Sequence, residues 1–224
     1  MNQPLGYPVS PPPKPTKPPA WKVGGATILT FVALLYLIEL VDQLSGHALD
    51  RNGIRPLEAD GLWGVLFAPL LHANWQHLAA NTVPALVLGF LVTLTGMARF
   101  VWATAIIWIV GGVGTWLIGD VGGCPLPTNH IGASGLIFGW LAFLLVFGWF
   151  TRHVWWIVTG IVVLFVYGSV LWGALPELNG CGGVSWQGHL CGAVAGVLAA
   201  YWLSGPERKA RQRKKAGQFP GLSS

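Results

Sequence analysis

Residues 131–151 read IGASGLIFGWLAFLLVFGWFT. No charged side chain interrupts the run. A helix of this length rises about 30 Å, the thickness of a bilayer's hydrocarbon core. Lipid dictates a helix, because backbone N–H and C=O groups there find no water and must pair within the segment. The stretch therefore predicts a membrane-spanning helix whose first turn carries one polar side chain, Ser134.

Similar runs recur near 23–41, 78–98, 100–119, 154–173 and 186–205. Together they predict an all-α polytopic membrane protein with six transmembrane helices. Composition agrees. Only 9% of the 224 residues are charged, against about 25% in a soluble domain. Hydrophobic residues make up 53% and mean hydropathy is +0.58. Such a chain cannot be disordered, which needs low hydrophobicity and high charge. It has too few charges to solvate a soluble surface. The net charge of +5 does not make a nucleic-acid binder of so apolar a chain. Three cysteines are too few for a disulfide scaffold. The stretch 61–71, GLWGVLFAPLL, is apolar but short and broken by Pro69, which predicts an interfacial or re-entrant element.

Three regions follow. Residues 1–22 form a proline-rich tail, with eight prolines in the first twenty positions, and are expected to be disordered. Residues 23–205 form the six-helix membrane domain. Residues 206–224 form a basic tail. With the N-terminus inside, 11 of the 13 Lys and Arg residues fall on the cytoplasmic side. Only Arg51 and Arg55 lie outside. The positive-inside rule then places both termini in the cytoplasm of a multi-pass plasma-membrane protein. The short loops suit a bacterial cell membrane. The cluster from Arg208 to Lys215 reads as a stop-transfer signal and an anchor to anionic lipid.

Polar groups at membrane depth are costly and mark function. His77 and Asn81 open the second span four residues apart, on one helix face. His72 lies five residues before His77 and is expected in the turn leading in. Ser134 sits between Gly132 and Gly135. His189 shares a face with Gly192 and Gly196, a small-xxx-small pair that lets another helix approach closely. Each piece alone has an ordinary structural reading: a helix cap, an interface histidine, a packing motif. Together they offer a serine, a base and hydrogen-bond donors for a developing oxyanion. No carboxylate but Glu39 lies within a span, so any catalytic set is a Ser–His dyad. His72 and His77 lack the pattern of a zinc helix, and no metal site or cofactor is expected.

These residues resemble the rhomboid family of intramembrane serine proteases. The second span carries H-x-x-x-x-H-x-x-x-N as His72, His77 and Asn81. The fourth opens with G-x-S-G as Gly132, Ala133, Ser134 and Gly135. The sixth carries G-H-x-x-G-x-x-x-G as Gly188, His189, Gly192 and Gly196. The resemblance implies the six-helix bacterial form with both termini inside. It implies that Ser134 is the nucleophile and His189 the general base. It implies that His77, Asn81 and the Ser134 N–H form the oxyanion hole, with His72 supporting them. Two departures stand out. Phe138 replaces the tyrosine usual one turn after the serine, and residues 44–63 lack the family's frequent Trp-Arg pair, for which Arg55 and Trp63 are candidate substitutes. Cys124 and Cys181 both fall outside and flank the spans of the dyad, which makes a disulfide between them an expectation. Cys191 is expected to be a buried packing residue.

The implied activity is endopeptidase cleavage in or next to transmembrane segments of other membrane proteins. The substrate segment must be destabilised, because serine cannot reach a carbonyl locked in a helix. A competing reading is a non-catalytic rhomboid-like chaperone or binding protein, but such relatives lose the serine or the histidine. A transporter would spread ionisable groups along a path, whereas here they gather at one depth. The partners expected are lipid and membrane-protein substrates, with no nucleic acid.

Overall fold

The computed structural model describes residues 18–122, 128–176 and 185–218. Five helices are long and apolar enough to cross a membrane, and a sixth joins them if the last bent pair counts as one span. They are α1 (Ala20–Leu44), α2 (Trp75–Leu94), α3 (Met97–Ile118), α4 (Ser134–Thr151), α5 (Val154–Ala174) and α6 (Trp186–Leu203). The chain then bends by 41° into α7 (Gly205–Gln218). Among the described residues there is no β-strand, only an isolated bridge between Ile54 and His130. This is a multi-pass helical membrane protein. Its lipid-facing surface is apolar, as with Trp155 and Phe165 on α5.

The fourth span is the central helix. Trp140, Leu141, Phe143, Leu144 and Phe147 are all buried within the bundle. An all-apolar helix of this kind belongs at a core, where every face meets protein. Its closest partner is α6. A Cβ on Gly192 would collide with the carbonyl of Gly135, and one on Gly196 with the carbonyl of Gly139. The backbones of α4 and α6 thus touch without side chains between them. In lipid, where hydrophobic burial gives helices no reason to associate, such van der Waals contact supplies the attraction.

Two features depart from the sequence expectation. The third span contains a π-helical turn at Ile107–Gly111, which sets Gly111 against the backbone of Gly192. The basic segment after residue 205 is helical rather than a plain tail. Glu207 pairs with Arg99, and the Arg208 guanidinium lies 3.8 Å from the Tyr201 ring centroid. Arg211 donates to the carbonyls of Phe150 and Thr151, the open end of α4. A cation there meets the negative end of the helix dipole.

The apolar stretch at 61–71 folds into short helical turns spanning Asp60–Leu70. Trp108 and Trp116 of α3 hold this loop through indole N–H bonds to the carbonyls of Val65 and Glu58, each 2.9 Å. Arg55 pairs with Glu58 at 2.8 Å and with Asp60, while Trp63 is exposed. Asp42, at the end of α1, accepts the Leu49 N–H at 2.6 Å, and His47 Nδ1 lies 3.3 Å from its other oxygen. That contact closes the turn after the first span.

Candidate active site

Helices α2, α4 and α6 all begin at the same end of the bundle, because consecutive spans run in opposite directions. Their first turns carry His77, Ser134 and His189 respectively, and Asn81 lies one turn further along α2. Alternation alone therefore gathers the polar residues at one depth.

Asn74 caps α2 by accepting the His77 N–H at 2.8 Å. His72 precedes the helix, in the turn, and is buried. Burial, with the nearby His77 adding, pulls its pKa down to about 4. His72 is therefore neutral at pH 7, and its Nε2 faces the Ala133 N–H at 3.4 Å. The His72 and His77 rings meet edge to face, 5.1 Å apart. Asn81 is buried, and its amide donates to the His77 carbonyl at 3.0 Å.

Gly132 leads into α4 with φ +120°, a region that L side chains rarely adopt. A Cβ there would lie 2.7 Å from the His77 ring and 3.8 Å from Ser134 Oγ. The absent side chain is thus what lets His77 approach the serine. The Gly132 N–H donates to the Ala68 carbonyl at 2.8 Å, which fixes this turn to the outer loop.

His189 is buried on α6. Its Nδ1 lies 2.8 Å from the carbonyl of Gly173. A carbonyl can only accept, so Nδ1 carries the proton and Nε2 keeps a free lone pair. Phe138 stacks flat against the imidazole, 4.0 Å between centroids. The ring is thus held on one face and at one nitrogen. Nothing in the sequence marks Gly173, because every residue carries a backbone carbonyl. Among the described residues no hydrogen bond joins Ser134 to His189.

A cavity opens beside Ser134. Gly132 and Gly135 of the α4 entry, Gly111 and Thr115 of α3, and Ser185 and Gly188 at the start of α6 contribute to its wall. Cys191 faces Gly114 of α3 and is half-buried, not fully so. The expected Cys124–Cys181 bridge lies outside the described residues.

The architecture is that of a polytopic helical membrane protein with polar groups gathered at one end. A model of the Rhomboid domain family matches residues 59–206. The chain belongs to the rhomboid family. An uncharacterised protein of Mycobacterium tuberculosis is 72% identical over 99% of this chain and 92% of its own length. A Mycobacterium leprae protein is 67% identical over 88% of this chain and 78% of its own length. The Bacillus subtilis protein named "Putative rhomboid protease YdcA" is 39% identical over 50% of this chain and 58% of its own length.

Proposed function

We propose that this protein is an intramembrane serine endopeptidase that cleaves other membrane proteins in or next to their transmembrane segments. Ser134 Oγ attacks the scissile carbonyl. His189 Nε2 takes the serine proton and later gives it to the leaving amine. The Gly173 carbonyl does for the imidazole what a carboxylate does in a triad: it fixes the tautomer and the ring orientation. Being neutral, it stabilises the imidazolium less, so a rate slower than a triad's is expected. The His77 ring, the Asn81 amide and the Ser134 N–H bind the oxyanion of the tetrahedral intermediate. His72 supports the turn that carries Ser134. The glycine-walled cavity suits a small substrate side chain, and the substrate must unwind to present an extended strand.

The observation that carries this reading is the His189 environment. One nitrogen is committed to a carbonyl, and the ring is clamped by Phe138. That leaves Nε2 as the acceptor that a serine proton requires. Catalytic bonds are often open in the free enzyme and close on substrate, so the unbonded Ser134 fits a resting state. The bilayer orientation, with both termini cytoplasmic and the site at the outer face, belongs to the same proposal.

The test is cleavage of a single-span substrate by purified protein in detergent. Wild type is compared with Ser134→Ala and His189→Ala, and a fluorophosphonate reports the reactive serine. Cleavage and labelling lost in both variants support the dyad. Folded wild-type protein that labels no serine and cleaves nothing overturns it, in favour of a rhomboid-like binding protein.

A further inference from the structure

His130 lies four residues before Ser134, and Ser185 lies four residues before His189. The structure joins these two forerunners directly: His130 Nδ1 and Ser185 Oγ are 2.6 Å apart. Both border the cavity beside Ser134.

The direction of each proton can be worked out from the far end. Thr128 Oγ1 lies 2.5 Å from Asp120 Oδ1, and a carboxylate can only accept, so the threonine donates there. His130 Nε2 lies 2.9 Å from the same hydroxyl and must therefore donate to it. His130 Nδ1 is left with a lone pair, which accepts the Ser185 hydroxyl proton. Ser185 Oγ in turn accepts the Gly188 N–H at 3.0 Å, as the N-cap of α6. Every member of the chain from Asp120 to Gly188 has one assigned role. Burial also holds the His130 imidazole below its usual pKa, against the opposing pull of Asp120, which favours this neutral tautomer.

The two ends are anchored differently. His130 exchanges both backbone hydrogen bonds with Ile54, at 3.0 and 2.9 Å, so it is tied to the outer loop. Ser185 is the N-cap of the helix that carries His189. Its carbonyl accepts the His189 N–H at 3.1 Å, so a shift of Ser185 shifts the base. The Gln187 amide, bonded to the Val121 carbonyl at 2.9 Å, is a second tether of the same turn.

We propose that His130 is a positioning residue, which through Ser185 sets the first turn of α6 and thereby places His189 Nε2 against Ser134 Oγ. This rests on the reading of Ser134 and His189 as the catalytic pair.

The test uses full-length protein in detergent. His130→Asn keeps an acceptor near the Nδ1 position, and His130→Leu keeps bulk without one. Ser185→Ala removes the partner, and His130→Leu with Ser185→Ala completes a cycle. Misplacing a reacting group by about 1 Å costs up to about 100-fold, so His130→Leu is expected to lower kcat and Ser134 labelling about 10- to 100-fold. KM stays within about threefold of wild type, as expected for an effect on geometry rather than ground-state binding. His130→Asn recovers most of the rate. The double variant is no slower than the slower single, because both act on one contact. Amide exchange at residues 186–189 rises in His130→Leu and not in His130→Asn.

A wild-type rate in His130→Leu overturns the proposal. So does an Asn variant as slow as the Leu variant in equally stable protein, or single effects that multiply in the double. If His130→Leu does not fold, the comparison of His130→Asn with Ser185→Ala decides the same question. Wild type that neither labels nor cleaves overturns the protease reading instead, and with it the positioning role. The exchange data then report only whether the contact holds the helix end.

Discussion

Phe138 lies face to face with His189, their ring planes 9° apart. The phenyl ring comes from α4 and the imidazole from α6, so the contact that orients the histidine also spans the closest helix pair. Where the resemblance would put tyrosine, the flat face is kept and the hydroxyl is not.

That relationship gives a first prediction. Phe138→Leu fills most of the space but removes the flat surface. It should cost well under the roughly 3–5 kcal/mol of a full truncation to alanine. It should nonetheless lower kcat about tenfold, because the imidazole gains freedom to turn. Phe138→Tyr should retain activity. Steady-state kinetics beside thermal unfolding in detergent would check this, and a Leu variant with unchanged kcat would remove the stack from the mechanism.

The glycine contact between α4 and α6 predicts a sharp contrast. Gly192→Ala places a methyl group into the Gly135 carbonyl and must push the two helices apart. A stability loss of about 1–3 kcal/mol is expected, with loss of cleavage. Gly205→Ala meets nothing within 4 Å. It should change stability by less than about 0.5 kcal/mol. Equal melting temperatures for the two variants would contradict the packing.

Gly132→Ala faces two obstacles at once. Its φ of +120° strains any side chain, and the new Cβ meets the His77 ring. Backbone strain of this kind costs about 1–3 kcal/mol. If His77 donates to the oxyanion as proposed, displacing it should slow acylation by about 100-fold or more. The rate of fluorophosphonate labelling at Ser134 reads this step, and a wild-type labelling rate would take His77 out of the oxyanion site.

His72 predicts a pH-dependent stability. Its folded pKa is about 4, and in the unfolded chain it is about 6.5. Above pH 6.5 both states hold it neutral and its contribution is complete. Between pH 6.5 and 4 the unfolded chain binds a proton that the folded one does not, so stability falls as pH falls. Below 4 there is no further loss from this group. His72→Asn should flatten the profile in that window. A residual slope is expected from His130, which burial shifts in the same direction. Identical profiles for wild type and variant would show that His72 is not held neutral.

The membrane spans were legible because each is a local run of apolar residues, and lipid leaves the backbone no alternative to a helix. The catalytic candidates were legible because so few polar side chains sit at membrane depth, and because Gly132, Gly192 and Gly196 stand where side chains cannot. The start of α1 at Ala20 rather than 23 and the helical course of the basic segment were less readable. Proline-rich and charged stretches carry little apolar pattern, and what orders α7 is its contact with Arg99, Phe150 and Thr151.

The sequence by itself determined which segments enter the bilayer and which polar residues travel with them. Only the tertiary structure decided that Gly173 orients His189, that Phe138 covers it, and that His130 meets Ser185. The first is a backbone carbonyl, and every residue has one. The others join positions more than fifty residues apart, brought together where α4 and α6 begin side by side. Periodicity records which face of a helix a residue occupies. It holds no record of which residue on another helix that face will meet, because that is set by the summed packing of all the helices.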